Sequence, residues 1–260
     1  MSNGWRWILG RDAGQAGERF CVELEQWAER QPPREFSGIA LTGGESARVF
    51  YAAWAEAFNT RFSPILRERL RSRAHYFWSD ERFVPHSSAE SNFHLAAEIL
   101  LQPRACQHIH PAPVDGRGAE CAREYARQIR QLLPAPAGLP QFDLVLLGLG
   151  EDGHTASLFP HRDPYQDDEL LVRFVNASAD HPHDRLTFTP ALINAAREVW
   201  FLALGRDKQP AVRQLYERRA QPKEIPALVA DPARTAVSFF LDLDAAGALA
   251  PQLVPDTEPA

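Results

Sequence analysis

The stretch LVLLGLGEDGHTASLFP (residues 144–160) joins an apolar run to a glycine-rich turn and a group of ionisable side chains. The run is continuously apolar, as strands are when a parallel sheet is covered on both faces. The turn has G-x-G-x-x-G spacing at Gly148, Gly150 and Gly153, which is also the spacing of dinucleotide-binding turns. The stretch therefore predicts a buried strand and raises the question of what its glycines serve.

The context of these glycines argues against a dinucleotide. A dinucleotide turn opens a helix of several turns whose N-terminal amides face a pyrophosphate, whereas Pro160 follows Gly153 after only seven residues. Such folds also place an acidic residue about 20 positions further on to bind a ribose hydroxyl. The next strand-like run, LLVRFVNA, has Arg173 and Asn176 instead. We therefore interpret the glycines as shaping a turn of another kind.

Strand-like and helix-like segments alternate on both sides of this stretch. The apolar runs predicted as strands are FSGIAL, AHYFW, LLVRFV, RLTFT, EVWFLAL and AVSFFLDL. The segments predicted as helices are QAGERFCVELEQWAER, SARVFYAAWAEAFN, AESNFHLAAEILL, CAREYARQIRQLL, PALINAA and KQPAVRQLYERR. This alternation predicts an α/β fold in which a parallel-sheet core is covered by helices on both faces. We expect a single domain over residues 1–260, with a short loose tail over about residues 250–260.

Composition limits the function classes. The chain has 260 residues and a net charge of −6, with a pI of about 5.9, so nucleic acid or an anionic membrane is not favoured as a partner. No apolar run approaches the roughly 20 residues that span a bilayer. Three cysteines without metal-ligand spacing fit a reducing compartment. The expectation is a cytoplasmic protein, either a monomer or a small homo-oligomer.

In parallel α/β sheets, ligands bind outside the carboxyl ends of the strands. Three of the predicted strands deliver polar groups there: TGGES (residues 42–46), SDER (residues 79–82) and the group Glu151, Asp152 and His154. The segment Gly43-Gly44 with Ser46 has two open interpretations. It predicts either an anion cradle, because small residues let backbone amides approach a ligand, or a tight turn with an N-capping serine.

The other two groups also leave alternatives open. Asp80 and Arg82 follow an aromatic run, so their charges must face a solvated cleft or be paired; the alternative to a site is an Asp–Arg ion pair that ties down a loop. His154 is the candidate base, because histidine titrates near neutrality. Asp152 could orient its imidazole; the alternative is a structural or exposed histidine.

Further polar residues stand at predicted element ends. Arg185 begins RLTFT and Lys208 begins a helix, so each could reach the same edge or be ordinary surface charge. Asn92 and Asn194 could donate hydrogen bonds or cap. The HIH (residues 108–110) and HPH (residues 181–183) segments would need a third and fourth ligand in register to hold a metal. We cannot identify such ligands, and we predict no metal.

The ordered motifs resemble a known family. The series ALTGG, WSDERFVPHSSAESNFHLA, FDLVLLGLGEDGHTASLFP and RLTFTPALINAAREVWFLALGRDK resembles the 6-phosphogluconolactonases over nearly the whole chain from about Phe36. The motifs DER-V-P with ESN, and above all GEDGHTASLFP, are specific. The resemblance implies a Rossmann-like lactonase domain, related in fold to the glucosamine-6-phosphate isomerase/deaminases. It also implies hydrolysis of a phosphorylated sugar lactone, 6-phosphoglucono-δ-lactone, in the pentose phosphate pathway, with no metal or cofactor.

The resemblance also implies roles for individual residues. His154 would be the general base that activates water, supported by Asp152. Arg82, with Asp80 beside it, would stabilise the oxyanion or contact the substrate. The residues implied to hold the phosphate are Gly43, Gly44, Ser46, Arg185 and Lys208.

Two departures from related patterns bear on these expectations. Many relatives read Gly-Gly-Ser-Thr-Pro where this chain has Glu45, and a carboxylate there would repel a phosphate unless it points outward. The isomerase/deaminases on the same fold resemble IAFNEP after the Asp-Gly-His turn, with a glutamate that helps open the sugar ring. Phe159 stands at that place here, which argues against that reaction. A non-catalytic sugar-phosphate-binding protein is the other alternative.

Overall fold

The computed structural model describes residues 4–31, 37–162 and 170–253. The strands within these ranges are β1 (Trp5–Gly10), β2 (Ser37–Leu41), β3 (Ala74–Trp78), β4 (Asp80–Arg82), β5 (His108–Ile109), β6 (Leu144–Gly148), β7 (Val172–Val175), β8 (Arg185–Phe188), β9 (Glu198–Ala203) and β10 (Ala236–Asp242). Most of them fall inside the apolar runs of the sequence, because those runs are the segments that bury both faces.

The helices between the strands are α1 (Ala13–Arg30), α2 (Glu45–Thr60), α3 (Pro64–Ser72), α4 (Asn92–Ala96), α5 (Gly118–Leu132), α6 (Pro190–Asn194), α7 (Gln209–Glu217), α8 (Leu243–Ala246) and α9 (Ala250–Leu253). A π-helical turn, Ala97–Leu101, continues α4. Helix starts follow local capping chemistry: the Asp12 carboxylate accepts from the Gln15 N–H at α1, and the Ser63 hydroxyl precedes Pro64 at α3. No helix in these ranges is both long enough and apolar enough to cross a membrane.

Seven strands form one parallel sheet in the order β1-β10-β9-β6-β2-β3-β5. From β2 the chain proceeds outward to β3 and β5, and from β6 it proceeds the other way to β9 and β10. The direction of winding therefore reverses between β2 and β6. In sheets of this type such a reversal opens a crevice at the carboxyl ends of the two strands.

Helices cover both faces of this sheet. On one face α1 and α2 pack their apolar stripes, including Phe20, Phe50 and Trp54, against the sheet. On the other face α5 and α7 contribute Tyr125, Val212 and other buried side chains to a second core. The α/β prediction with a parallel core covered on both faces is confirmed.

A second sheet was not anticipated from sequence. Strands β4, β8 and β7 form an antiparallel sheet in that order, so LLVRFV and RLTFT are strands but do not belong to the parallel core. The chain crosses between the sheets at Ser79, which follows β3 directly. The Ser79 hydroxyl lies 3.0 Å from the Leu41 carbonyl and 3.1 Å from the Leu146 carbonyl, which fixes the crossing point beside β2 and β6.

Four elements were not predicted from the sequence: β1, β4, α3 and the two-residue β5. β1 and β5 are the outer strands of the parallel sheet, where short or mixed runs suffice for pairing. The predicted C-terminal tail begins with the helical turn α9, in which Leu253 is buried. Residues 254–260 lie outside the described residues.

Replacing Phe20 by alanine should destabilise the fold. Its ring is fully buried and lies 5.3 Å from the Phe50 ring and 5.6 Å from the Trp200 ring, measured between centroids. Removing such a ring leaves a cavity and should lower the free energy of unfolding by about 3–5 kcal/mol. Urea denaturation measures this loss. Ile65→Ala is the matched control, because Ile65 is 82% exposed and its loss should cost less than about 0.5 kcal/mol.

Candidate active site at the carboxyl edge

A cleft of about 720 Å³ opens at the carboxyl ends of β2 and β6, where the winding direction reverses. Eight of the nine site residues expected from sequence line it: Gly43, Gly44, Ser46, Asp80, Arg82, His154, Arg185 and Lys208. The ninth, Asp152, does not line the cleft but contacts His154 from behind. The fold therefore brings residues from five separate stretches of the chain to one place.

His154 and Asp152 form a hydrogen-bonded pair. The imidazole Nδ1 lies 2.6 Å from the Asp152 carboxylate, which also accepts the His154 backbone N–H at 3.0 Å. Burial alone would raise the pKa of Asp152, but the hydrogen bonds and charge of His154 outweigh it and lower that pKa to about 2. The carboxylate is therefore ionised at neutral pH and can only accept, so Nδ1 donates to it; in a neutral imidazole this tautomer leaves the lone pair on Nε2.

The glycines after β6 shape this pair. A Cβ at Gly150 would lie 2.0 Å from His154 Nδ1, and Gly153 has φ +81°. The Gly150 N–H donates to the His154 carbonyl at 2.8 Å, which closes the turn. Only residues without a side chain fit at Gly150, and Gly153 needs left-handed backbone. The glycines therefore serve to place an imidazole.

Two aromatic rings enclose His154. Phe159 is buried with its centroid 5.1 Å from that of His154, and the His181 ring stacks on Phe159 at 3.9 Å. His181 also lines the cleft. Burial lowers the pKa of His181, and the neighbouring His154 and Arg185 lower it further. From sequence, His181 is only a possible metal ligand of the HPH segment, because nothing local indicates that it returns to the Asp152–His154 turn.

The two arginines of the cleft face each other across adjacent strands. Arg82 of β4 is the register partner of Arg185 of β8. Each cation has its own carboxylate: Asp80 lies 3.6 Å from Arg185, and Glu90 lies 3.3 Å from Arg82. The buried Nε of each arginine has no hydrogen-bond partner among the described residues. Both guanidinium groups therefore lie on the cleft wall, each beside one carboxylate.

Asp80 pairs with Arg185 and not with Arg82, the arginine that lies nearest to it in the sequence. Its buried carboxylate accepts from the Ser157 hydroxyl at 2.8 Å and from Asn92 Nδ2 at 3.2 Å, and it pairs with Arg185. The alternative of an Asp–Arg ion pair is thus realised, but with Arg185 and not with the adjacent Arg82. Asp80 and Arg82 are two residues apart on β4 and so share a face, but the Arg82 guanidinium is held by Glu90. The register of β8 places Arg185 opposite Arg82 and diagonal to Asp80, within reach of its carboxylate.

Glu81 is fully buried beside this network. Its carboxylate accepts the backbone N–H groups of Arg82, Asn92 and Phe93 at 2.7–2.8 Å, and the Ser91 hydroxyl at 3.1 Å. Burial raises the pKa of Glu81 to about 7 against the opposing effect of these N–H groups. Glu81 thus fixes the start of α4, and with it Asn92, on the cleft wall.

The Gly43-Gly44 turn leads into α2. A Cβ at Gly43 would lie 1.9 Å from the Asn92 amide oxygen, and Gly44 has φ +93° with open space around it. Ser46 accepts the Leu204 N–H at 3.0 Å, which ties α2 to the end of β9. The Glu45 side chain is 92% exposed and pairs with Arg48 at 3.7 Å, so its carboxylate faces solvent although Glu45 also borders the cleft.

Lys208 follows β9 and lines the same cleft as the Gly43-Gly44 turn. Its side chain is 19% exposed and its Nζ lies 2.7 Å from Asp207. Asn194 serves elsewhere: its amide bridges to the Val229 carbonyl and the Asp231 N–H. Asn92 is therefore the cleft asparagine, and Asn194 is a structural one.

The candidate metal ligands fall into two groups. His108 and His110 stack with His75 at the β5 edge, and none of the three lines the cleft. Within the described ranges, Asp152, His154 and His181 are the group whose ligand atoms lie within 4.8 Å of one another. However, the 2.6 Å contact of Asp152 with His154 is shorter than the roughly 3.3 Å that separates two ligands of a tetrahedral zinc ion. This geometry fits a hydrogen-bonded pair, and the absence of a metal stays a prediction.

The fold and the cleft define an α/β protein with a parallel sheet covered on both faces and a histidine–aspartate pair at its reversal point. Residues 12–239 match the sequence model of the glucosamine-6-phosphate isomerases/6-phosphogluconolactonase family. The chain belongs to this family.

Individual relatives agree with this assignment. The chain is 38% identical to 6-phosphogluconolactonase of Treponema pallidum over 186 residues, covering 69% of this chain and 72% of the relative. It is 32% identical to 6-phosphogluconolactonase of Streptomyces coelicolor over 98% of both chains. The solved structure of 6-phosphogluconolactonase from Trypanosoma brucei superposes with a TM-score of 0.76 at 29% identity, covering 94% of this chain and 98% of that one.

Replacing Asp80 by asparagine should destabilise the protein by about 3 kcal/mol, because it leaves the Arg185 cation buried without its counter-charge. Chemical denaturation at pH 7 measures this loss. The matched control is Glu90→Gln, since Glu90 is 58% exposed beside Arg82 and should change stability by less than about 0.5 kcal/mol. Equal effects of the two variants would contradict the assigned pairing.

Replacing Gly43 by alanine should displace Asn92, because the new methyl group would overlap the amide oxygen. We expect a loss of about 1–3 kcal/mol in the free energy of unfolding. Gly148→Ala provides a control in the same cleft, since a Cβ there meets its nearest atom at an ordinary 3.7 Å. A Gly43→Ala variant as stable as Gly148→Ala would show that the turn has room to adjust.

Proposed function

We propose that this protein is a 6-phosphogluconolactonase, which hydrolyses 6-phosphoglucono-δ-lactone to 6-phosphogluconate in the pentose phosphate pathway. The observation that carries the proposal is the Asp152–His154 pair, whose imidazole lines a cleft that also holds Arg82, Arg185 and Lys208. The relatives named 6-phosphogluconolactonase support it. A lactone is an activated ester, so a positioned base and an oxyanion stabiliser suffice for its hydrolysis.

In the proposed mechanism His154 is the general base. Its Nδ1 proton is held by the Asp152 carboxylate, so Nε2 takes a proton from water as the water attacks the lactone carbonyl. The Asp152 charge stabilises the imidazolium that forms. The imidazolium then returns the proton to the ring oxygen as the C–O bond breaks, which leaves a carboxylic acid and a hydroxyl group.

The cationic side chains of the cleft are proposed to stabilise the negative charges of the transition state and of the substrate phosphate. Arg82 is proposed to stabilise the developing oxyanion; its guanidinium lines the cleft and is anchored through Nη1, which donates to the Glu90 carbonyl at 2.8 Å. Arg185, Lys208, Ser46 and the Gly43-Gly44 turn are proposed to bind the phosphate. Two cations suit a dianion, and charge-assisted hydrogen bonds are strong. Asp80 is proposed to act by holding Arg185.

The rival isomerase/deaminase reaction lacks its ring-opening carboxylate. Phe159 is buried against His154 at the place where a glutamate would be needed, so the ring offers an apolar wall and no proton-transfer group. A non-catalytic binding protein would not need a base whose tautomer is fixed by a carboxylate. We therefore favour the hydrolase.

The remaining expectations are part of the same proposal. The substrate is a small phosphorylated sugar lactone, and neither nucleic acid nor a membrane is a partner. We further propose that the protein is cytoplasmic, forms a single lactonase domain over residues 1–260, acts as a monomer or small homo-oligomer, and needs no metal or cofactor.

Proton release from freshly generated 6-phosphoglucono-δ-lactone, corrected for spontaneous hydrolysis, tests the proposal. The wild-type protein should accelerate it, and His154→Ala should lower turnover by about 10²–10⁴, the usual contribution of a positioned base, with substrate binding largely unchanged. The matched control is His94→Ala, at a partly exposed histidine that pairs with Glu98 and does not line the cleft; this variant should retain full activity. No acceleration by wild type would favour the binding protein, and an unchanged rate in His154→Ala would remove His154 from the mechanism.

A further inference from the structure

His181 has no role in the mechanism above, yet its imidazole stands on the wall of the cleft beside the proposed base. It belongs to the HPH segment (residues 181–183) that precedes β8. Its side chain is 21% exposed, so four-fifths of it is covered. The ring is thus held firmly against the wall of the cleft, next to the proposed base His154.

The close contacts of the His181 side chain are with aromatic rings. Its ring stacks on Phe159 with centroids 3.9 Å apart and planes 21° apart, and it meets His154 edge-on with centroids 5.1 Å apart and planes at 74°. Both geometries are the favoured arrangements of ring pairs. By contrast, the His181 Nε2 lies 3.9 Å from the second oxygen of Asp152, which is too far for a direct hydrogen bond.

The His154 ring needs such support because the carboxylate holds it at one atom only. The Asp152 hydrogen bond fixes Nδ1, but rotation of the ring about its own side-chain bonds would still swing Nε2 away from the substrate. Phe159 contacts the ring from one side with centroids 5.1 Å apart, and His181 meets it edge-on. The two rings therefore pack against parts of the imidazole that Asp152 does not contact.

We propose that His181 is a positioning residue for the base: its ring, seated on Phe159, forms the wall that holds the His154 imidazole in hydrogen-bonding register with Asp152. The inference rests on the proposed function, since it assigns His154 as base. In this proposal the flat ring of His181 orients His154, and the nitrogen atoms of His181 take no part. His181 would therefore not act as a second acid–base group.

Two substitutions separate the ring from its nitrogen atoms. His181→Ala removes both, and His181→Phe keeps a flat ring on Phe159. We expect His181→Ala to lower kcat about tenfold with KM changed less than about twofold, because misplacement of a catalytic group by a fraction of an ångström is costly. His181→Phe should restore most of the lost kcat. Asp180→Ala is the control, since Asp180 is an exposed residue of the same segment.

A second readout does not depend on substrate. The Nδ1–H proton of His154, held by Asp152, should give a downfield proton NMR signal that is protected from exchange. This signal should broaden or vanish in His181→Ala and return in His181→Phe, and Asp180→Ala should leave it as in wild type. If wild type fails to hydrolyse the lactone, the proposed function falls, while the NMR comparison still decides whether His181 positions His154.

Each outcome decides the matter. Loss of kcat and of the NMR signal in His181→Ala, with recovery of both in His181→Phe, supports the inference. An unchanged kcat and signal in His181→Ala overturns it. So does a His181→Phe variant as slow as His181→Ala, because the nitrogen atoms would then matter. A fall in kcat together with an equal fall in inorganic phosphate affinity and a large loss of stability on urea denaturation also overturns it, since the role would be general and structural.

Discussion

The buried carboxylate of Asp80 is the interaction on which the cleft depends. It receives hydrogen bonds from Ser157 and Asn92 and neutralises Arg185, so it joins β4, the turn after β6, the start of α4 and β8. Without it, Arg82 and Arg185 would face each other across adjacent strands as two cations, an arrangement that is destabilising when uncompensated. Asp80 lets the fold present cationic donors at one edge while keeping that edge stable.

The site is built from rigid supports. Gly150 and Gly153 shape the turn that carries His154, the proposed base. Glu81 fixes the start of α4 by accepting the backbone N–H groups of Asn92 and Phe93. Such support is what catalysis requires, because donors oriented in advance need no reorganisation when charge develops in a transition state.

Much of the fold could be predicted because its signals are local. A buried parallel strand is continuously apolar over its own length, as in Leu144–Gly148, and a helix start needs only a cap such as Asp12. Because ligands bind at the carboxyl ends of parallel strands, the sequence also predicted that Gly43, Arg82 and His154 lie at one site. The prediction failed for the pairing of β4, β8 and β7 into an antiparallel sheet, because strand partners are chosen by distant residues and not by the composition of each strand.

The sequence by itself determined the α/β class, the polar strand ends, the turn that carries His154, and the reason its glycines do not serve a dinucleotide. Only the tertiary structure decided that Asp80 pairs with Arg185, 105 positions away, and not with its neighbour Arg82. It also decided that the Glu45 carboxylate faces solvent and that His181 returns to the Asp152–His154 pair. The physical reason is range: turns, caps and apolar runs depend on neighbouring residues, whereas the partner of a buried charge or ring depends on which strands the sheet brings together.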